Sequence, residues 1–245
     1  MQGKQSGAAW MLSVIVDETQ DPSRNLALDE ALARAGSPGP VLRVWQNAPS
    51  VIVGRFQSLP KVVDMAACAR DGIQVVRRAT GGVAIYTDPG SLNITLVCSR
   101  PGPRPDLEQL MVAAVEGFGL PSATARSGIV QLASLRTRHA TLMHATLRIR
   151  PVGAYGRGYL IHGEQPTLAD HGLDISMDAG RAAVFAATVD RYGVAKARRP
   201  NSAETYLQQQ LYETRYGDVT WHLAGMARPG IRLRPLHQGS FGFSW

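Results

Sequence analysis

The stretch VVRRATGGVAIYTDPGSLNIT, residues 75–95, decides how this chain is read. Two apolar runs with strand character flank a pair of glycines, and two arginines precede the pair. Gly81 and Gly82 remove side chains from the bend, so the backbone there can take φ > 0 and a ligand can approach the amides closely. Thr80 adds a hydroxyl, and Arg77 and Arg78 bring forks of donors suited to phosphate or carboxylate. The strand residues Val75, Val83 and Ile85 offer an apolar wall. No Gly-Lys-Ser/Thr follows the glycines and a strand comes next, so this is not a phosphate-cradling loop of the P-loop kind. Taken alone, the stretch reads first as a strand–turn–strand bend with solvated arginines, because short glycine motifs match by chance.

Composition narrows the classes. With 245 residues, 44% hydrophobic and 18% charged, the chain reads as one folded α/β domain over 1–245. No apolar run reaches the length of about 20 residues that a membrane helix needs. Met11–Val16 reads as a first strand and not a signal peptide, because Asp17 and Glu18 follow where a cleavage site would need small residues. Cys68 and Cys98 alone give no disulfide framework and no metal spacing, so the expected compartment is the cytoplasm. The net charge of +7 comes from dispersed arginines, with lysine only at 4, 61 and 196. No nucleic-acid-binding pattern accompanies it, and an acidic protein partner fits the charge as well.

Working outward, Asn25–Ala35 carries leucine and alanine at helical spacing and stops at Gly36-Ser37-Pro38-Gly39. Val41–Trp45 and Ser50–Gly54 read as strands about a turn, Val62–Asp71 as a short helix, and Ile73–Arg77, Val83–Tyr86 and Leu92–Cys98 as strands. Asp106–Gly117 reads as a helix, Ile129–Leu132 and Thr141–Ile149 as strands. Beyond Arg150 the pattern weakens into a divergent C-terminal part, with Thr188–Tyr192 and Ser202–Tyr212 suggesting a closing helix. Tight turns between adjacent strands favour a mixed, largely antiparallel central sheet flanked by helices, an α/β arrangement of the α+β type.

Four segments, NLALDEAL (25–32), LRVWQNAPSVIVGRFQ (42–57), VVRRATGGVAIYTDPGSLNIT (75–95) and LMHATL (142–147), resemble in order and spacing the lipoate–protein ligase A branch of the biotin/lipoate ligase family. The resemblance implies a fold like that of biotin ligases and class II aminoacyl-tRNA synthetases. It implies an enzyme that uses ATP, with Mg, to attach lipoate or octanoate through an acyl-adenylate to a lysine of a lipoyl-type carrier domain. By the same resemblance Arg77, Arg78, Thr80, Gly81 and Gly82 belong to the acyl-adenylate loop and Asn93 faces it from the next strand. Gly54, Arg55 and Gln57 fall in a nearby loop. His144 matches a family histidine on a strand, a position that also suits a plain sheet histidine.

The chain departs from the family at three places. The family's catalytic lysine falls on Gly128, or on a shortened hairpin, and SGIVQLASLRTRHATLMH (127–144) contains no lysine. Arg136 and Arg138 are the nearby cations, but a planar fork does not replace a compact ammonium without rearrangement. Thr87 stands where the family has histidine, and Val83 where its loop has a third glycine. These departures leave a second reading: a ligase-fold module that binds a lipoyl-like ligand or a carrier domain with little or no chemistry. Cys68 and Cys98 read as buried small hydrophobes. His162-Gly163-Glu164 with Asp170-His171 reads as a polar loop, not a metal site.

Overall fold

The computed structural model describes residues 11–100, 106–151, 158–163, 165–193 and 195–226. In chain order the strands are β1 (Leu12–Ile15), β2 (Val41–Trp45), β3 (Ser50–Val53), β4 (Gln74–Arg77), β5 (Ile85–Thr87), β6 (Ser91–Ser99), β7 (Val130–Arg136), β8 (Ala140–Arg148) and β9 (Ala195–Arg198). The helices are α1 (Pro22–Ala35), α2 (Leu59–Val62), α3 (Met65–Arg70), α4 (Leu107–Glu116), α5 (Ser122–Thr124), α6 (Met177–Tyr192), α7 (Ser202–Leu211) and α8 (Val219–Ala224).

Two sheets form instead of one. Six strands in the order β7-β8-β6-β2-β1-β9 make the large sheet, antiparallel from β7 to β2 and parallel from β2 to β9. Three strands, β4-β3-β5, make a small one. The alternation along β6 explains how the large sheet is covered. Leu92, Ile94 and Leu96 point to one face, where they pack with Leu107 and Met111 of α4 and Val184 of α6. The intervening residues, Asn93, Thr95 and Val97, point to the opposite face. There Val97 packs with Leu28 and Leu32 of α1, and the small sheet brings Ile52, Val76 and Ile85 against Leu26 and Trp45.

α1 begins where its capping signal lies: Asp21 accepts from the amides of Ser23 and Arg24, and Pro22 occupies the first turn. It ends at Gly36, whose φ of 73° suits glycine alone. Where one helix is expected over Val62–Asp71, α2 ends at Val62 and a separate α3 runs over Met65–Arg70. Val63 leaves the helix to bridge Leu160, and Asp64 caps α3 by accepting from the amide of Ala67 at 2.9 Å. Likewise the expected closing helix is α6 and α7 with β9 between them, pairing with β1. Both cysteines are buried, and burial pushes each thiol up to about 11, in keeping with inert small hydrophobes.

Candidate functional site

Antiparallel pairing places residues side by side across the large sheet. Trp45, Asn93, Thr146 and Gln131 form one row, and Arg43, Thr95, His144 and Ala133 form the next, on the face toward α1 and the small sheet. Opposite them stands the small sheet. A cleft lies between, lined by Leu26, Trp45, Ile52, Ile85, Val83 and Leu132 on its apolar side and by Arg78, Asn93, Gln131, His144 and Thr146 on its polar side. It is narrow, with about 30 Å³ open to the centre of a water-sized sphere. A wider groove of about 740 Å³ runs between β1, β2 and α6, lined by Val14, Leu42, Gln46, Arg181 and Phe185, and it touches none of the glycine-loop residues.

Arg78 closes one end of the cleft. Its side chain is turned inward, with the residue only 5% exposed, and donates to the carbonyls of Gly81 (3.0 and 2.6 Å), Val83 (2.8 Å) and Ile52 (3.2 Å). Burial lowers its pKa to about 10, which leaves it cationic at neutral pH. The guanidinium thus shapes the loop and faces the cleft together. Gly82 has φ 92°, and a Cβ there would come within 2.8 Å of Arg78 Nη2 and 3.5 Å of the Leu132 carbonyl oxygen. Gly54 is held just as tightly, since its Cβ would collide with the Gly82 carbonyl oxygen. Gly81 differs: a Cβ there meets nothing within 4 Å and its φ is ordinary. Thr80 is buried, and its carbonyl accepts from the amide of Arg55 at 2.9 Å.

Arg77 lies elsewhere. Adjacent strand residues point to opposite sides, so its guanidinium leaves the cleft and donates to the carbonyls of Gly54 (2.9 Å), Gln57 (2.8 Å), His222 (3.1 Å) and Leu223 (3.2 Å). It is a tie between the loop at 54–57 and α8, which the sequence alone does not foreshadow. Gln57 also braces that loop, its Oε1 accepting from the Gly54 amide at 2.9 Å. The Arg55 guanidinium bonds the Gly225 carbonyl and lies 4.2 Å from the Trp221 ring centre. Val75 does not wall the cleft either; it packs on the far side of the small sheet beside the Val51–Cys68–Tyr86 cluster. Val83 stands in the loop before β5, lining the cleft mouth while 55% exposed.

Beneath the floor runs a buried polar chain. Trp45 Nε1 donates to Thr95 Oγ1 at 3.0 Å, Thr95 Oγ1 donates to Asp29 Oδ2 at 2.7 Å, and His144 Nε2 lies 3.0 Å from that same oxygen. Arg43, fully buried, pairs with Asp29 at 2.9 Å and Asp17 at 2.8 Å. Burial raises the Asp29 pKa, but the Arg43 charge, the neighbouring His144 ring and the bond from Thr95 outweigh it and hold the carboxyl below its usual range. Asp29, Trp45, Thr146 and Gln131 were not singled out from the sequence. The signal for Thr146 was present, since a residue two along from His144 in a strand shares its face.

Gly128, where the family lysine would fall, has φ 114°, a conformation closed to lysine without strain. Arg136 and Arg138 are exposed at the far end of the β7–β8 hairpin and do not line the cleft. Among the described residues no group of three or more His, Cys, Asp or Glu could hold a metal ion. Asp170 instead accepts from the Thr167 amide and hydroxyl at 2.8 and 2.9 Å, and Glu164 lies outside the described residues.

The site is thus a large mixed sheet facing a small one, with an arginine-braced glycine loop between them. The family model of the lipoyl protein ligase A/B catalytic domain matches residues 21–165, more than half of the chain, and the chain belongs to that family. Among solved structures it is similar in fold to lipoate-protein ligase A bound with ATP, at a TM-score of 0.78 and 23% identity over 88% of this chain and 100% of that one. The bipartite lipoate protein ligase of Thermoplasma acidophilum, described with its E2 lipoyl domain, gives 0.74 and 23%, covering 91% and 99%. P. falciparum LipL1 in complex with lipoate gives 0.70 and 17%, covering 87% and 73%.

Proposed function

We propose that this protein attaches a lipoyl or octanoyl group, by way of an acyl-adenylate, to a lysine of a lipoyl-type carrier domain. The observation that carries the reading is the inward-turned Arg78, buried at one end of a cleft that has an apolar side of Leu26, Trp45, Ile52 and Ile85 and a polar side of Asn93, Gln131, His144 and Thr146. A thin aliphatic acid needs that combination: a dry channel for its chain and a fixed cation with polar neighbours for its head. Membership of the ligase family supports the chemistry.

In the first step a carboxylate oxygen of the acid bonds to the α-phosphorus of ATP and pyrophosphate leaves. In the second the carrier lysine amine bonds to the acyl carbon, the carbon–oxygen bond to phosphate breaks, AMP leaves and the amine proton passes to solvent. Leu26, Trp45, Ile52 and Ile85 exclude water from the chain, while Arg78 and the backbone about Gly81 meet the head group. Gly81, which the fold itself does not require, leaves room for a phosphate to approach the amides. Magnesium would arrive on the nucleotide phosphates, which need few protein ligands.

The alternative reading is a ligase-fold module that binds a lipoyl-like ligand or a carrier domain without turnover. One assay separates the two. Incubated with ATP, octanoate or lipoate, and a lipoyl domain, the protein should raise the domain's mass by one acyl group. Saturable octanoate binding without that increase would establish the binding module instead.

A further inference from the structure

β4 is an outer strand of the small sheet, and Arg77 is its last residue. The Arg78 amide turns inward to the Val53 carbonyl at 3.0 Å, so the amide and carbonyl of Arg77 face away from β3. Among the described residues no strand meets them on that side. Two side chains of α8 do. His222 Nδ1 accepts from the Arg77 amide at 3.0 Å, and Trp221 Nε1 donates to the Arg77 carbonyl at 2.8 Å. The Arg77 guanidinium returns to the carbonyls of His222 and Leu223 at 3.1 and 3.2 Å. α8 thus takes the place of a strand at the residue immediately before Arg78, and it lies outside residues 21–165 that the family model matches.

This hold exists in one protonation state. To accept from the Arg77 amide, Nδ1 must carry no proton, so the proton sits on Nε2, 2.8 Å from the Tyr216 carbonyl oxygen. A second proton would set one N–H against another. Burial opposes that proton, as does the Arg77 charge, while the Tyr216 carbonyl, Asp218 at the start of α8 and Asp21 at the start of α1 favour it.

We propose that His222 is a positioning residue for the acyl site: in its neutral form it holds the Arg77 main chain against α8, and through Arg77 it sets where Arg78 lies at the end of the cleft. This rests on the function proposed above. One peptide bond joins the two arginines, so movement of the Arg77 main chain carries Arg78 with it. Protonation of the ring releases the Arg77 amide, and octanoate binding weakens while the chain stays folded.

The test measures octanoate affinity by calorimetry over about pH 5–8, with circular dichroism at each pH to show that the chain is folded. His222→Asn is the rescue variant, since its Oδ1 is as many bonds from the backbone as the ring Nδ1 and does not titrate. His222→Phe keeps a ring and loses the acceptor. At about pH 8 the Asn variant should bind within about threefold of the wild type, and the Phe variant about tenfold more weakly. As pH drops below 6.5, wild-type affinity should fall beyond any fall in His222→Asn. Octanoate's own carboxyl and His144 in the cleft are the same in both proteins, so only the difference between the profiles is read. Parallel profiles for the wild type and His222→Asn would overturn the assignment, and so would wild-type affinity in a folded His222→Phe. Should His222→Phe not fold, the two profiles decide alone. A wild type that binds no octanoate at any pH would count against the proposed function itself, a result distinct from parallel profiles.

Discussion

Gly81 and Gly82 are neighbours in the chain but answer to different demands. Gly82 is required by the fold, through its positive φ and its closeness to Arg78. Gly82→Ala should therefore cost about 1–3 kcal/mol of stability, read by denaturant unfolding. Gly81→Ala meets open space, so its stability should stay within about 0.5 kcal/mol of the wild type. The same variant should lose octanoate-dependent activity, because the new methyl stands where the head group approaches. Arg78→Lys tests the arginine: one ammonium cannot reach the carbonyls of Ile52, Gly81 and Val83 together, and each acceptor left alone costs about 1–3 kcal/mol. The lysine variant should thus melt well below the wild type and fail to bind octanoate; unchanged binding would remove Arg78 from the site. These distinctions were only half legible. A glycine pair announces a bend, but which glycine serves the fold depends on Arg78 and Leu132, and the second of these is 50 residues away in sequence.

At the scale of elements, α1 and α8 are held by buried polar groups where apolar contact would be expected. The NLALDEAL segment is readable as a helix from its leucine spacing. That Asn25, Asp29 and Glu30 are all buried is not, since a lone helix gives no sign of what covers its polar side. Asn25 Nδ2 donates to the carbonyls of Thr19 and Gln46, each at 3.0 Å, and Asp29 neutralises Arg43 inside the sheet. Asp29→Ala should destabilise by about 3 kcal/mol or more, because it leaves the buried Arg43 with Asp17 as its remaining carboxylate partner. α8 docks through His222, whose Nδ1 accepts from the Arg77 amide at 3.0 Å while Nε2 lies 2.8 Å from the Tyr216 carbonyl oxygen. Burial holds this histidine below its ordinary value of 6.5. The unfolded chain then binds the proton first as pH falls. The stability His222 contributes is whole above pH 6.5 and declines as pH drops from there toward the folded value. Unfolding followed through tryptophan fluorescence should show that decline, and His222→Gln should flatten it.

Across the whole molecule, the mixed sheet with flanking helices was legible from strand lengths and tight turns, while its division into two sheets was not. The division depends on Ile52, Val76 and Ile85 packing over Leu26 and Trp45, a pairing set by tertiary contact. The weak pattern after Arg150 hid working elements: β9 extends the large sheet beside β1, α6 covers one face, and Trp221 Nε1 donates to the Arg77 carbonyl at 2.8 Å, bracing the strand that leads into the glycine loop. The central claim is that the cleft under that loop, and not the wider groove between β1 and α6, receives the acyl chain. A photoreactive octanoic acid analogue, crosslinked and mapped by peptide mass spectrometry, tests it most directly. The account predicts label on peptides carrying Trp45, Val83–Ile85 and Leu132–Ala133, suppressed by excess octanoate. Label confined to the peptides of Val14–Gln20 and Arg181–Phe185 would contradict it.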